Sequence, residues 1–452
     1  MLKLNSPRTG LWIAALAVAA LNVTVGTGAH RATLPASGWQ EWSPRPEIAP
    51  AFRRDRTTGL SENGSLLIDA GDNPAAFGAW RQIYTNFVPG RIYCFEAWYR
   101  TEGVPQESRS VIPRLHWRNA RGEQVRPPDF AQGKPGSNGW SKVEYVAPAP
   151  ATAREVEIQL GFGFAPGGRV WWDEVRLIEM EREPQRNVRV ATIHHRPRGT
   201  RSAGENVAQF SRLITQAAAQ KPDIVCLPEG ITVVGTSSSY VDVSEPVPGP
   251  TTQLLGELAD RHECHIVAGL YERSGNAVFN TAVLIGRDGQ LIGKYRKTHL
   301  PREEWEAGLT PGDEYPVFDT DFGRVGLMIC WDVQFPEPAR AMALQGADLL
   351  LLPIWGGSEV LTRARAIENH VFLVSSGYDM RSFIVDPAGK VVAEATTDSP
   401  VAVAEISLTQ QILQPWLGDM KFRTWKERRP DIPVETQSVQ RPGDALPASD
   451  QP

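Results

Sequence analysis

Cysteine is scarce in this chain: four residues in 452, at positions 94, 226, 264 and 330, with no Cys-x-x-Cys pair among them. That excludes zinc-ribbon and thioredoxin-like chemistry. Cys94 lies far from the others, and Cys226 and Cys264 sit in or beside apolar strand-like runs, so buried free thiols are expected rather than disulfides. The histidine groups His194-His195 and His262/His265 with Cys264 also lack metal-ligand spacing and read as structural. Positive charge is not in excess either, because 47 Lys and Arg against 52 Asp and Glu leave a net charge of -5. Such a balance gives no footprint for nucleic acid or anionic lipid. Past residue 30 no apolar run approaches the ~20 residues that span a bilayer, and no internal repeat or low-complexity tract stands out.

What is present begins with a leader. Lys3 and Arg8 precede an apolar run over 11–21, and small residues follow, ending in Thr27-Gly28-Ala29. This is the pattern of a secretory signal cut before His30, and it predicts an exported, periplasmic or secreted protein with a signal peptide at 1–29. The run is about half the ~20 residues of a membrane span. No cysteine follows it until Cys94, so the thiol of a lipoprotein anchor is missing.

A chain of this length exceeds what one hydrophobic core usually serves, which predicts two domains. Their grammars differ. Over 34–180, short β-like segments such as 65–69, 91–100, 155–160 and 169–178 are separated by Gly, Pro and Asn turns, with no helical period of any length. An all-β sandwich is expected there. It carries eight of the fourteen tryptophans, at 39, 42, 80, 98, 117, 140, 171 and 172. Rings of this kind stack on sugars or fill a sandwich core, and core is the reading preferred for each.

After the charged stretch 181–186 the pattern becomes an α/β alternation over 187–429. Strands are expected at 187–193, 223–227, 265–270, 281–285, 323–329, 348–352 and 371–375. Helices are expected at 206–219, 251–262, 338–345 and 361–369, with a hairpin turn at Asp288-Gly289 and a closing β run from 382 to 406. From 430 to 452 the chain is rich in Pro, Gln, Asp and Ser and is expected to be a disordered tail.

Three residues of this second half have acyl-transfer chemistry. Cys330 ends the apolar strand Val325-Gly-Leu-Met-Ile329, on a tight bend that would expose a nucleophile at the sheet edge. A thiol there needs a base or a positive neighbour, since a free thiol titrates near ~8.5. Glu229, in Leu227-Pro-Glu-Gly230, stands at the carboxyl end of another strand, where open α/β sheets bind ligands. Helix capping is the competing reading for it. Lys297, in Lys294-Tyr-Arg-Lys-Thr-His-Leu-Pro301, would stabilise a developing oxyanion and the thiolate. Alone, it reads as an exposed basic loop.

Read together, Leu-Pro-Glu-Gly, Tyr-Arg-Lys-Thr-His-Leu-Pro and Gly326-Leu-Met-Ile-Cys-Trp-Asp-Val-Gln-Phe-Pro-Glu337, in that order, resemble the nitrilase superfamily, the carbon-nitrogen hydrolases. Further segments agree: Asp319-Thr-Asp-Phe-Gly-Arg-Val-Gly326, Gly346-Ala-Asp-Leu-Leu350, Arg363-Ala-Arg-Ala-Ile-Glu-Asn369 and Ile384-Val-Asp-Pro-Ala-Gly389. The resemblance covers about 188–406. It implies an α-β-β-α sandwich, doubled across a dimer or higher homo-oligomer, with no metal or organic cofactor. It implies that Glu229 moves the proton, that Lys297 and the backbone N–H of Trp331 hold the oxyanion, and that Cys330 carries a thioester. It also implies a second glutamate for substrate or water. Glu303, Glu304 and Glu306 are all candidates, and Glu306 is favoured.

Asp332 and Phe335-Pro-Glu337 look more like the amidase and carbamoylase branches than the nitrilases, so an amide or N-carbamoyl bond is expected to be the target. Nitrile hydrolysis by the same site is the alternative. Trp355 and Tyr378 follow later strands and are candidates to line the pocket. The first half resembles the jelly rolls of the galactose-binding-like and carbohydrate-binding-module group, which makes carbohydrate a candidate second ligand. A glycan-binding protein with a catalytically silent rear half is the competing function.

Overall fold

The computed structural model describes residues 31–34, 38–134, 136–181, 185–430 and 432. Residues 1–30, where a signal peptide is expected, and the tail from 433 onward fall outside the described residues.

The first half builds two antiparallel sheets. One runs Ala51–Asp55, Ser65–Asp69, Arg169–Met180, Ile92–Glu102, Ser141–Pro148, Gln132–Lys134, with Arg31–Thr33 also paired to Arg169–Met180. The other runs Gln40–Trp42, Phe77–Tyr84, Glu155–Gly163, Val111–Arg118, Asp129–Phe130. Successive side chains of a strand point to opposite faces, so Val143, Tyr145 and Ala147 face inward while their neighbours are partly or fully exposed. Ile68, Phe95, Trp117, Ile158, Leu160 and Trp172 join in one core between the sheets. Of the eight tryptophans, Trp39, Trp80, Trp117, Trp140, Trp171 and Trp172 are buried, in line with the core reading, whereas Trp42 and Trp98 are only half-buried. One short helix, Glu107–Ser110, interrupts the strands.

The second half stacks two six-stranded mixed sheets between helices. The first sheet orders Leu291–Arg296, Ala277–Ile285, His265–Ser274, Ile224–Cys226, Asn187–Ile193, Val401–Ser407. The second orders Val317–Asp319, Arg324–Leu327, Leu349–Pro353, Phe372–Ser376, Ser382–Val385, Val391–Ala395. Strands with both faces covered read as continuous apolar runs, and Leu349–Pro353 and Phe372–Ser376 are buried throughout. One cluster joins Val190, Cys226 and Val267 of the first sheet to Val325, Leu350 and Leu373 of the second.

The helices cover the outer faces. Ala203–Ala218 buries Val207, Phe210, Ile214 and Ala217, spaced three and four apart, against Ala191, Val225 and Ile266. Ser202 caps its first turn by accepting from Glu205 N. Pro250–His262 starts with proline, which lacks the N–H that would go unpaired there, and stops at Glu263 in the left-handed region. Glu337–Leu344 and Glu359–Asn369 cover the second sheet through Ala339, Met342, Ala343 and Ala366. The layers are therefore α-β-β-α. None of the described helices is long and apolar enough to cross a membrane.

One segment departs from the sequence reading. Residues after the last strand pair Leu413–Gln414 with Gly418–Asp419 and form the helix Met420–Glu427, which docks on the first half. Phe422 meets the Tyr145 ring edge-on at 5.8 Å, and Lys426 Nζ donates to Val111 O at 2.7 Å. The chain thus returns from the α/β body to the sandwich.

Candidate active site

The nucleophile candidate sits on a strained bend. Ile329 is extended, whereas Cys330 has φ 42°, left-handed for a residue with a Cβ, at a cost of about 1–3 kcal/mol that the surroundings must hold in place. Met328 N donates to Leu351 O, anchoring the preceding residue to the neighbouring strand. The turn Cys330–Gln334 then carries the chain away from the sheet. Burial pushes the Cys330 thiol up, the Glu229 carboxylate beside it adds to this, and Lys297 and the Trp355 backbone N–H oppose. A thiol pushed up in this way calls for a base beside it.

Asp332 ties this bend down. Its buried carboxylate accepts from Ile329 N at 2.9 Å, Tyr295 OH at 2.8 Å and His299 N at 3.2 Å, so it links the nucleophile turn to the loop that carries Lys297. Asp332→Asn would turn a donor towards these donors and is expected to cost about 2–3 kcal/mol. Thermal melts should record that loss, with a drop in turnover as the Cys330 turn loosens.

Glu229 follows the strand Ile224–Cys226. Its backbone lies so close to Gly269 that a Cβ at that glycine would stand 2.6 Å from Glu229 Cα. Tyr378 OH donates to Glu229 O at 2.7 Å, fixing the turn from the facing sheet. Lys297 leaves the end of Leu291–Arg296 with its amide on Asn280 O at 2.8 Å, and its side chain is only 1% exposed. Its Nζ lies 3.1 Å from Glu229 Oε1 and 2.8 Å from Glu304 Oε1. Burial alone would favour the neutral amine, but Glu229, Cys330 and Glu304 carry its pKa above the ordinary lysine range. Asn280 Nδ2 bridges the same two carboxylates, at 2.7 Å to Glu229 and 3.0 Å to Glu304.

The second glutamate of this cluster is Glu304, not Glu306. Glu306 is 55% exposed and pairs with Arg302. On the short helix Arg302–Glu306 the two positions differ by about 200°, so only one can face inward. Burial lifts the Glu304 carboxyl from the usual 4.5 to about 7, with Glu229 adding and Lys297 opposing. Because the folded state binds this proton more tightly, the stability gained from it is complete below about 4.5 and is lost as pH rises through about 7. The pH–rate profile of the parent should therefore bend near 7, and Glu304→Gln should remove that bend while lowering turnover.

Aromatic groups frame the cluster. Tyr240 stacks on buried Tyr271 at 4.6 Å. Trp355 meets Tyr378 edge-on at 5.1 Å, and the Arg196 guanidinium lies over both rings at 5.3 and 5.2 Å. The Trp355 N–H reaches Cys330, so that residue touches the site through its backbone. Trp331 is 41% exposed. Tyr240, Tyr271 and Asn280 are contributors that no local motif announces, and Asp332, which lies in the motif around Cys330, acts here by tying the turn down.

Three cysteines, 94, 226 and 264, are free and buried, as expected from their runs. Among the described residues, the cluster with metal-ligand proximity is Cys94, Glu96 and Glu144, in the sandwich. Lys142 Nζ already bonds both carboxylates there.

The family model described as Carbon-nitrogen hydrolase matches residues 189–412. Omega-amidase NIT2 of Bos taurus is 34% identical over 231 residues, covering 45% of this chain and 83% of its own length. A nitrilase of Pyrococcus abyssi is 35% identical over 239 residues, covering 49% and 90%. Among solved structures, an amidase from Nesterenkonia sp. aligns with 24% identity and a TM-score of 0.44, over 48% of this chain and 90% of that one.

Proposed function

Because the chain belongs to the carbon-nitrogen hydrolases, we propose that Cys330, Glu229 and Lys297 hydrolyse the amide bond of a small non-peptide substrate through a thioester. The observation that carries this is the buried contact of Lys297 Nζ with Glu229, next to a thiol held at positive φ. The amide is preferred to a nitrile or ureido bond on the strength of the omega-amidase relatives.

In the first half-reaction Glu229 takes the thiol proton as sulfur bonds to the amide carbon. The carbonyl oxygen becomes an oxyanion facing Lys297 and the Trp331 N–H. Collapse expels the amine, which receives its proton from Glu229. Water, deprotonated by the same carboxylate, then cleaves the thioester to the acid and frees the thiol. Glu304 Oε2 and Asn280 Oδ1 are buried without partners among the described residues. They are the acceptors available to the substrate N–H groups or to that water. Ammonia release from a panel of amides, nitriles and ureido compounds tests the reading, and preference for nitriles would replace the amide with the alternative substrate.

We further read the chain as a signal peptide, a jelly-roll accessory module over 34–180 and a hydrolase module over 187–429, exported and self-associating. Carbohydrate is the proposed ligand of the accessory module. On the outer face of Glu155–Gly163 and Val111–Arg118, Arg114 Nε and His116 Nε2 are buried and unpaired among the described residues. Polar groups of this kind suit hydroxyl ligands. Retardation in polysaccharide-containing gels that Arg114→Ala abolishes would support this assignment, and unchanged mobility in every glycan would remove it.

A further inference from the structure

A concavity away from the Cys330 cluster lies where the sandwich, the α/β body and the returning C-terminal helix meet. It measures about 430 Å³, within the range of small-molecule sites. Gly346 and Asp348 precede the strand Leu349–Pro353, Val371 precedes the strand Phe372–Ser376, and Phe372 opens it. Trp355 and Tyr378, which contact Cys330 and Glu229, follow those same strands. Five strand residues span about 16 Å, so this cavity and the Cys330 cluster occupy opposite ends of the sheet.

Most charges on its wall are already matched. Arg186 grips Asp348 through two bonds at 2.8 and 3.0 Å, and Lys134 pairs with Glu144 at 2.8 Å. The Asp419 carboxylate caps the final helix by accepting from Lys421 N at 3.1 Å. Three nitrogen groups remain. Lys421 makes no ion pair within 4 Å among the described residues; burial lowers its pKa, Asp348 and Asp419 partly offset this from a distance, and its Nζ lies 5.3 Å from the Trp425 ring. Trp425 Nε1 and His370 Nδ1 are buried and lack hydrogen-bond partners among the described residues. Lys421 and Trp425, four apart on Met420–Glu427, share one helix face. Phe372, Phe422, Leu408 and Ile412 supply apolar wall.

Unpaired nitrogens set in an apolar wall suit an acceptor-rich anionic head on an apolar body, which would hold the buried Lys421 amine in its charged form and draw the Trp425 N–H and the donor tautomer of His370. We propose that this interdomain cavity binds a small amphipathic organic anion, with the head group held by Lys421, Trp425 and His370. The site draws on all three parts of the chain, so occupancy would hold the sandwich and the α/β body together. Its distance from Cys330 makes it independent of the hydrolytic reading.

Full-length protein carrying Cys330→Ala, which removes turnover from the readout, is titrated with the fluorescent probe 8-anilinonaphthalene-1-sulfonate. Octanoate, octylamine and 1-octanol then compete. The expected result is one saturable site per chain that octanoate empties at least about tenfold more effectively than the amine or the alcohol. Lys421→Met and Trp425→Phe should each weaken probe binding about tenfold while melting as the parent does. If Lys421→Met does not fold, Trp425→Phe, which removes only the N–H, carries the test. Absence of a saturable site, equal displacement by octylamine, or folded variants that keep the parent affinity would overturn the proposal.

Discussion

Cys330→Ala is expected to lower amide turnover by at least about 10⁴-fold, because no other group near the carbonyl can form the thioester. The fold should survive, since among the described residues the thiol approaches a carbonyl only at the long 3.9 Å distance of Gly356 O. Cys330→Gly separates chemistry from stability more sharply. At φ 42° a Cβ is strained, so glycine should abolish turnover and yet stabilise the protein by about 1 kcal/mol. Denaturant melts of the parent and both variants, with rates in parallel, check the pair of expectations. A glycine variant less stable than the alanine one would mean that the turn is not strained.

Lys297→Met carries the second large effect. The ammonium is the only cation in contact with Glu229 and Glu304 among the described residues. Its removal leaves two buried carboxyl groups sharing the Asn280 amide. Breaking such a buried arrangement costs about 3–5 kcal/mol, and loss of an oxyanion donor lowers turnover by about 10²–10³. The stability loss should be pH-dependent. Without the cation that opposes the burial of Glu304, this carboxyl is more easily neutralised, so the variant should regain stability as pH falls from 8 to 5. Urea midpoints at the two ends of that range measure it.

How much of this was legible in the chain depends on how local the signal is. The strand Asn187–Ile193 and the helix Pro250–His262 follow from apolar periodicity and end signals that lie within their own residues. Cys330 on a tight bend was legible because an apolar strand runs straight into it. Lys297 was legible as a residue but not as an environment, since the sequence shows a basic loop and burial comes from partners across two sheets. Glu306 was favoured over Glu304 for want of a facing signal. Trp305 between them is 56% exposed, so the one apolar residue of that helix points the wrong way for a helical-wheel argument. The docking of Met420–Glu427 onto the sandwich joins residues hundreds of positions apart, such as Lys426 and Val111, and no pattern within either segment encodes it.

The central claim is that Cys330 forms the covalent bond. Intact-protein and peptide mass spectrometry after millisecond quenching with an amide substrate tests it directly. The account requires an added acyl mass on the peptide containing Cys330, formed before ammonia release reaches steady state and missing from Cys330→Ala. Hydrolysis by the alanine variant at the parental rate, or an acyl group found on any other residue, would contradict it.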